Sequence, residues 1–196
     1  MLQKIPYDQT AYVVIRDSLE PDMLIKECVD FCRAVGAETV YASGHKALEK
    51  FPHHTTIISM ECERALLSDT DAVLQPVTDA SLDSWRRAYN ERMHSVPTAA
   101  YMSASEARKL QEQEKLYYVY HKNIPVGLGV VDADRVEALA SVIPGFGEKV
   151  LLALSSALTG DIAHICVATT NVPACRLYER LGFRTVGVES KWYKIF

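Results

Sequence analysis

The sequence predicts a mixed α/β fold of the α+β kind, a sheet with helices on its faces, and three observations carry that expectation. Short stretches rich in Val, Ile and Tyr alternate or run together as strands do. Between them lie stretches whose apolar residues recur at spacings of three and four, as helices require. From residue 70 the order is β, α, α, β, β, β, α, β, α, β, so antiparallel neighbours come first and a β-α-β crossover follows.

Taken in order, "AYVVIR" (11–16) is the first strand. "PDMLIKECVDFCRAVG" sets Leu24, Ile25, Cys28, Val29, Cys32 and Val35 on one helical face, with Pro21 near its start and Gly36 at its end. "ETVYA" and "TTIISM" read as short strands, and "SGHKALEKFPHH" between them holds a short helix. The charged stretch "ECERALLSDTD" marks a boundary near residue 70, which divides the chain into an N-terminal β-α-β extension (1–69) and a main domain (70–196). "AVLQPV" (72–77) is a strand. The next helix aligns Leu82, Trp85, Tyr89 and Met93, with Thr78 or Asp79 as its cap. Ser103 and Glu106 stand at capping-box spacing and open a surface helix. "LYYVYH", "PVGLGVVD" and "VEALASVI" form three strands joined by turns at Asn123 and "DADR". "GEKVLLALSSALTG" is a helix that stops at Gly160, and "IAHICVAT" (162–169) reads as a strand covered on both faces. "RTVGVESKWYKIF" closes the chain as one or two strands.

The chain of 196 residues is 48% hydrophobic and 23% charged, as a globular protein is, with a formal charge of −4 and a pI near 5.9. That balance excludes a general nucleic-acid binder, which needs a basic face. No window approaches a membrane span and no signal-peptide core opens the sequence, so the cytoplasm is the expected location. Of the five cysteines none shows C-x-x-C spacing, and buried free thiols are expected. His53 and His54 are adjacent and His45 is remote from any carboxylate or thiol cluster, so no metal site is expected.

The segment "NVPACRLYERLGF" (171–183) is the most particular. Asn171 caps a helix, Ala174, Leu177, Tyr178 and Leu181 form its apolar stripe, and Gly182 ends it in the left-handed conformation. Strand, Asn, one-residue gap, Pro-Ala and "LYERLGF" resemble a signature motif of the GNAT superfamily, the acetyl-CoA-dependent N-acyltransferases; the resemblance covers 70–196. It implies a mostly antiparallel twisted sheet flanked by helices, with acetyl-CoA as cosubstrate and an amine, of a small molecule or a peptide, as acceptor. It also implies that the strands 136–143 and 162–169 splay apart around the thioester. By the same resemblance, main-chain amides of Ala140, Ser141 and Val142 polarise the acyl carbonyl. Gly145, Phe146 and Gly147 lie at the pyrophosphate turn. Asn171 contacts the pantetheine or fixes the helix start, with Ala174 beside it, and Tyr178 protonates the departing thiolate. A homodimer is a family-level expectation. Tyr178 also reads as a packing residue of its helix face.

The chain departs from the family at the phosphate loop. "SVIPGFGEKVLLAL" restores the pattern Arg/Gln-x-x-Gly-x-Gly/Ala in neither register: one puts Val142 at the Arg position, the other puts Gly147 there and Val150 at a Gly position. Glu148 in the first turn opposes an anion, and Lys149 offsets it in part. Asp132, Glu137 and His164 are the nearest candidates for a general base. Gly127-x-Gly129 marks either a bulge where substrate nears the backbone or plain strand packing. Residues 23–60 and 149–188 share the order helix, Gly, strand, short helix, Phe, strand, which suggests that the extension is a degenerate half copy of the main domain. Two functions are expected from this: an N-acetyltransferase, or an inactive module of that fold that binds an acyl-CoA or a partner. A dinucleotide binder is excluded because no strand leads into a full G-x-G-x-x-G.

Overall fold

The computed structural model of the chain describes residues 8–196. In chain order its elements are β1 (Thr10–Val14), α1 (Pro21–Ala34), β2 (Thr39–Ser43), a 3-10 turn at Lys46–Lys50, β3 (His53–Glu63), a second 3-10 turn at Arg64–Leu66, β4 (Val73–Pro76), α2 (Leu82–Met93), α3 (Ala104–Glu112), β5 (Leu116–His121), β6 (Ile124–Asp132), β7 (Arg135–Ser141), α4 (Gly147–Ser155), β8 (Ile162–Ala168), α5 (Val172–Arg180) and β9 (Arg184–Lys194). The strands form one sheet in the order β1-β2-β9-β3-β8-β7-β6-β5-β4. Among the described residues, β1–β2 and β7–β8 pair in parallel and the other pairings are antiparallel.

Helices cover the sheet on two sides. Val150, Leu151 and Leu154 of α4 and Tyr178 of α5 pack with Val119, Val126, Val136, Ile165 and Val167. On the other face, Leu82, Trp85, Tyr89 and Met93 of α2 and Ala107 of α3 pack with Leu116, Leu128 and Val130. The indole N–H of Trp85 donates to the Tyr117 carbonyl at 2.9 Å, so the ring is buried without leaving its donor unpaired. In the N-terminal part, Ile25 and Cys32 of α1 pack on Ala11, Val40 and Ala42.

Gly127 and Gly129 serve helix packing. A Cβ at Gly127 would run into Val150, and one at Gly129 into Leu154 and the Ala138 carbonyl oxygen, 2.8 Å away. Their bareness lets α4 lie close on β6.

Several boundaries differ from those the sequence predicts. The cap of α2 is Ser81: residues 79–81 form a turn, and the Thr78 N–H donates to Ser81 Oγ at 3.0 Å. The helix α4 ends at Ser155, short of Gly160. The stretch 53–63 is one long strand, because it is paired on both sides, with β9 and with β8. And β8 is not covered on both faces, since Cys166 is exposed.

Candidate active site

The parallel strands β7 and β8 pair at two positions, Arg135 with His164 and Val136 with Ile165. At this closed end the His164 N–H donates to the Asp134 carbonyl at 2.9 Å. Beyond it the strands part. β7 stays zipped to β6 as far as Ser141, and β8 stays zipped to β3 as far as Ala168. The divergence begins at an irregularity in β7. Ala138 faces Val130 while Val136 faces Val131, so Glu137 is an extra residue on its strand. Such a bulge bends the strand that carries it, here away from β8.

A cleft of about 520 Å³ opens in the gap. Its walls include Val136–Leu139 of β7, Ile165–Ala168 of β8, Ile57 of β3, Tyr89 and Met93 of α2, Leu110 of α3, Asn171 and Tyr178 of α5, and the connection from Val96 to Ala100. Asp132 and Glu137 are the charged side chains that line it.

The main-chain donors along the gap follow from the ladder. The Val142 N–H donates to the Val126 carbonyl at 2.9 Å, so it is committed and cannot polarise a ligand. Hydrogen-bonded and non-hydrogen-bonded positions alternate along an antiparallel pair. Ala140 opposite Leu128 therefore also turns its N–H to β6, while Leu139 and Ser141 turn theirs to the β8 side. Of the three amides expected from the sequence, Ser141 alone faces the gap, and Leu139 joins it there. Ser141 Oγ bonds the Ile143 carbonyl.

Asn171 stands on the cleft wall as the N-cap of α5, its Oδ1 accepting the Ala174 N–H at 3.4 Å. Ala174 itself packs on the core behind the wall. Tyr178 is 5% exposed, with its ring centroid 6.0 Å from that of Phe183. Burial pushes its hydroxyl well above the usual tyrosine pKa, and Cys175 adds to the shift. The phenol is therefore a permanent hydrogen-bond donor near neutral pH.

Of the three base candidates, the cleft takes in two. Asp132 accepts Lys115 Nζ at 2.7 Å. Glu137 has Arg135 Nε no nearer than 3.8 Å. His164 lies outside the lining, its ring nitrogens 3.2 Å from Glu61 and 3.3 Å from Asp134.

The connection between α2 and α3 forms the far wall. Thr98 within it has a φ of 64°, a left-handed conformation rare for a β-branched residue. Its N–H donates to the hydroxyl of Tyr12 on β1, whose ring stacks on Tyr41 and meets Trp192 edge-on. The N-terminal part of the sheet thus holds a wall of the cleft.

Gly145, Phe146 and Gly147 stand where β7 leads into α4. Gly145 has φ 88°, Phe146 is the N-cap residue without a side-chain cap, and Gly147 opens the helix. Glu148 is held by Arg180 at 2.7 Å and Lys149 by Asp71. Arg180 partly neutralises the carboxylate that opposes an anion there, and Asp71 does the same to the lysine that would attract one.

A sequence model of FR47-like proteins matches residues 143–193, from the turn before α4 into β9. No curated protein matches the sequence significantly. Solved structures share the fold. A conserved protein of Staphylococcus epidermidis, functionally unknown, is 12% identical with a TM-score of 0.56 over 94% of this chain and 82% of its own. A GCN5-related N-acetyltransferase from Kribbella flavida is 10% identical with a TM-score of 0.59 over 88% of this chain; the chain spans 47% of its length. A tandem GNAT protein from the clavulanic acid biosynthesis pathway is 12% identical with a TM-score of 0.51, over 92% of this chain and 72% of its own.

Proposed function

We propose that this chain, which has the fold of the GNAT acetyltransferases, transfers an acetyl group from acetyl-CoA to a primary amine. The observation that carries the reading is the parting of β7 and β8 at Glu137, which leaves one strand edge bare inside a cleft. The residues at the gap fit such a cosubstrate, because the Leu139 and Ser141 N–H groups face a space that a thioester arm can occupy.

Acetyl-CoA supplies an activated acyl thioester. Around it, the Leu139 N–H is placed to hold the acyl oxygen, where negative charge grows as the amine adds. Asn171 fixes the start of α5. The turn Gly145–Gly147 and the first amides of α4 receive the phosphates, as orphan N–H groups at a helix start do. Glu137, directly or through water, takes a proton from the amine, and Tyr178 gives one to the sulfur. An acceptor bound as its ammonium first loses one proton to solvent; the proton that Glu137 then takes returns to Tyr178, so one N–H proton ends on the sulfur as the C–S bond is exchanged for an N–C bond.

The test is to mix the purified chain with acetyl-CoA and a panel of primary amines. Thiol release and N-acetylated product should appear together. Weak or absent acetyl-CoA binding with no amine acetylated would instead support the inactive module, which the altered phosphate loop favours.

A further inference from the structure

We propose that the acceptor is a small amine with one positive charge and an apolar, uncharged body. This rests on the acyltransferase reading of the same cleft. The charged groups on the lining are Asp132 and Glu137, and among the described residues the lining holds no lysine or arginine. An acceptor with a carboxylate or phosphate would bring its anion toward two carboxylates, whose own partners, Lys115 and Arg135, do not line the cleft. Lys115 engages Asp132 at 2.7 Å, whereas Arg135 stands 3.8 Å from Glu137, so Glu137 is the more loosely paired of the two and the one to hold an ammonium.

The opposite wall gives a second charge no home. Tyr89, Met93, Val96, Pro97, Ala99 and Leu110 present ring and alkyl surface. Burial, and after it the charge of nearby Glu106, push the Tyr89 hydroxyl up to about 12, so it supplies no anion, and Glu106 itself does not line the cleft. A second ammonium would leave water and find no partner. The volume of about 520 Å³ must also hold the thioester arm, which keeps the amine small. A free alkyl or arylalkyl amine and a peptide N-terminus with an apolar side chain share this chemistry.

The test uses a matched series: hexylamine, 1,6-diaminohexane and 6-aminohexanoate, equal in chain length and different at the far end. Leucyl-alanine amide serves as the peptide arm. Hexylamine should exceed the diamine and the aminohexanoate in kcat/KM by about tenfold or more, the desolvation cost of the second charge setting the gap. The same amines are compared by thermal unfolding of the CoA-saturated protein, which needs no turnover, so a failure of the acyltransferase reading still leaves the preference measurable. Hexylamine should give the larger shift. Ala99→Asp should raise the diamine relative to hexylamine. Equal or better performance of the diamine or the aminohexanoate, or an unchanged ratio in Ala99→Asp, would overturn the proposal. The peptide arm decides between the two sources: acetylation of leucyl-alanine amide above hexylamine assigns the site to peptide N-termini, and the reverse assigns it to free amines.

Discussion

Tyr178 sits in the cleft wall with its hydroxyl made a poor acid by burial. It can stabilise a sulfur by donation, and complete transfer is driven by the proton that the amine releases. Tyr178→Phe should lower kcat about 100-fold and spare acetyl-CoA affinity. An unchanged kcat would reduce Tyr178 to packing. The same burial fixes a pH dependence. Tyr178 and Tyr89 are both raised above the ordinary value of about 10. Raised pKa values mean that the unfolded chain loses these protons first as pH climbs. Their stabilisation is therefore whole below pH of about 10 and falls as pH rises toward the folded values, near 12 for Tyr89. Urea midpoints measured between neutral pH and pH of about 11 should fall, and the fall should be shallower in Tyr178→Phe. Asn171 as a cap and Tyr178 as a stripe residue were legible because caps and stripes depend on local spacing, while their place beside a cleft was read from the family resemblance alone. Glu137 as a bulge and Leu139 as a donor were not, because a bulge is set by the partner strand. The trace in the sequence is Ala138, Leu139 and Ala140, three apolar neighbours where strict alternation would set a polar residue between two apolar ones.

At the scale of elements, the close approach of α4 to β6 decides how firmly the cleft is held. Gly129 gives that approach its room, and the Ala138 carbonyl oxygen, 2.8 Å from where a Cβ would stand, is backbone that cannot turn aside. Gly129→Val should destabilise the fold by about 1–3 kcal/mol, at the upper part of that range, in urea unfolding. A neutral result would mean that the helix does not press on the strand. The element order and most helix starts were legible from residue chemistry; Ser103, for example, caps α3 by accepting the Glu106 N–H at 3.2 Å. The start of α2 was not, because Thr78, Asp79 and Ser81 are all capable caps and local turn geometry chose among them.

Over the whole molecule, the sheet order β1-β2-β9-β3-β8-β7 reads the same backwards when β1, β2 and β3 exchange places with β7, β8 and β9. Each parallel pair encloses a helix, α1 or α4. This supports the proposal that residues 1–69 are a degenerate half copy of the C-terminal part. The two halves differ where function would differ: β1 and β2 pair at five positions from Thr10 to Val14, and β7 and β8 at two. The second pair is the one that leaves a gap. The central strand β3 comes from the first seventy residues and pairs with both β8 and β9. A sequence read element by element does not show that insertion, since long-range pairing leaves no local mark. Residues 70–196 alone should therefore lack a cooperative thermal transition by circular dichroism; a sharp one would show that the strand is dispensable.

The bare edge of β7 is tested most directly by NMR of the protein isotope-labelled at leucine amides and titrated with acetyl-CoA. The Leu139 resonance should move as the ligand is added, with Leu116 and Leu24 unmoved. A Leu139 amide that stays in place at millimolar acetyl-CoA would contradict the account.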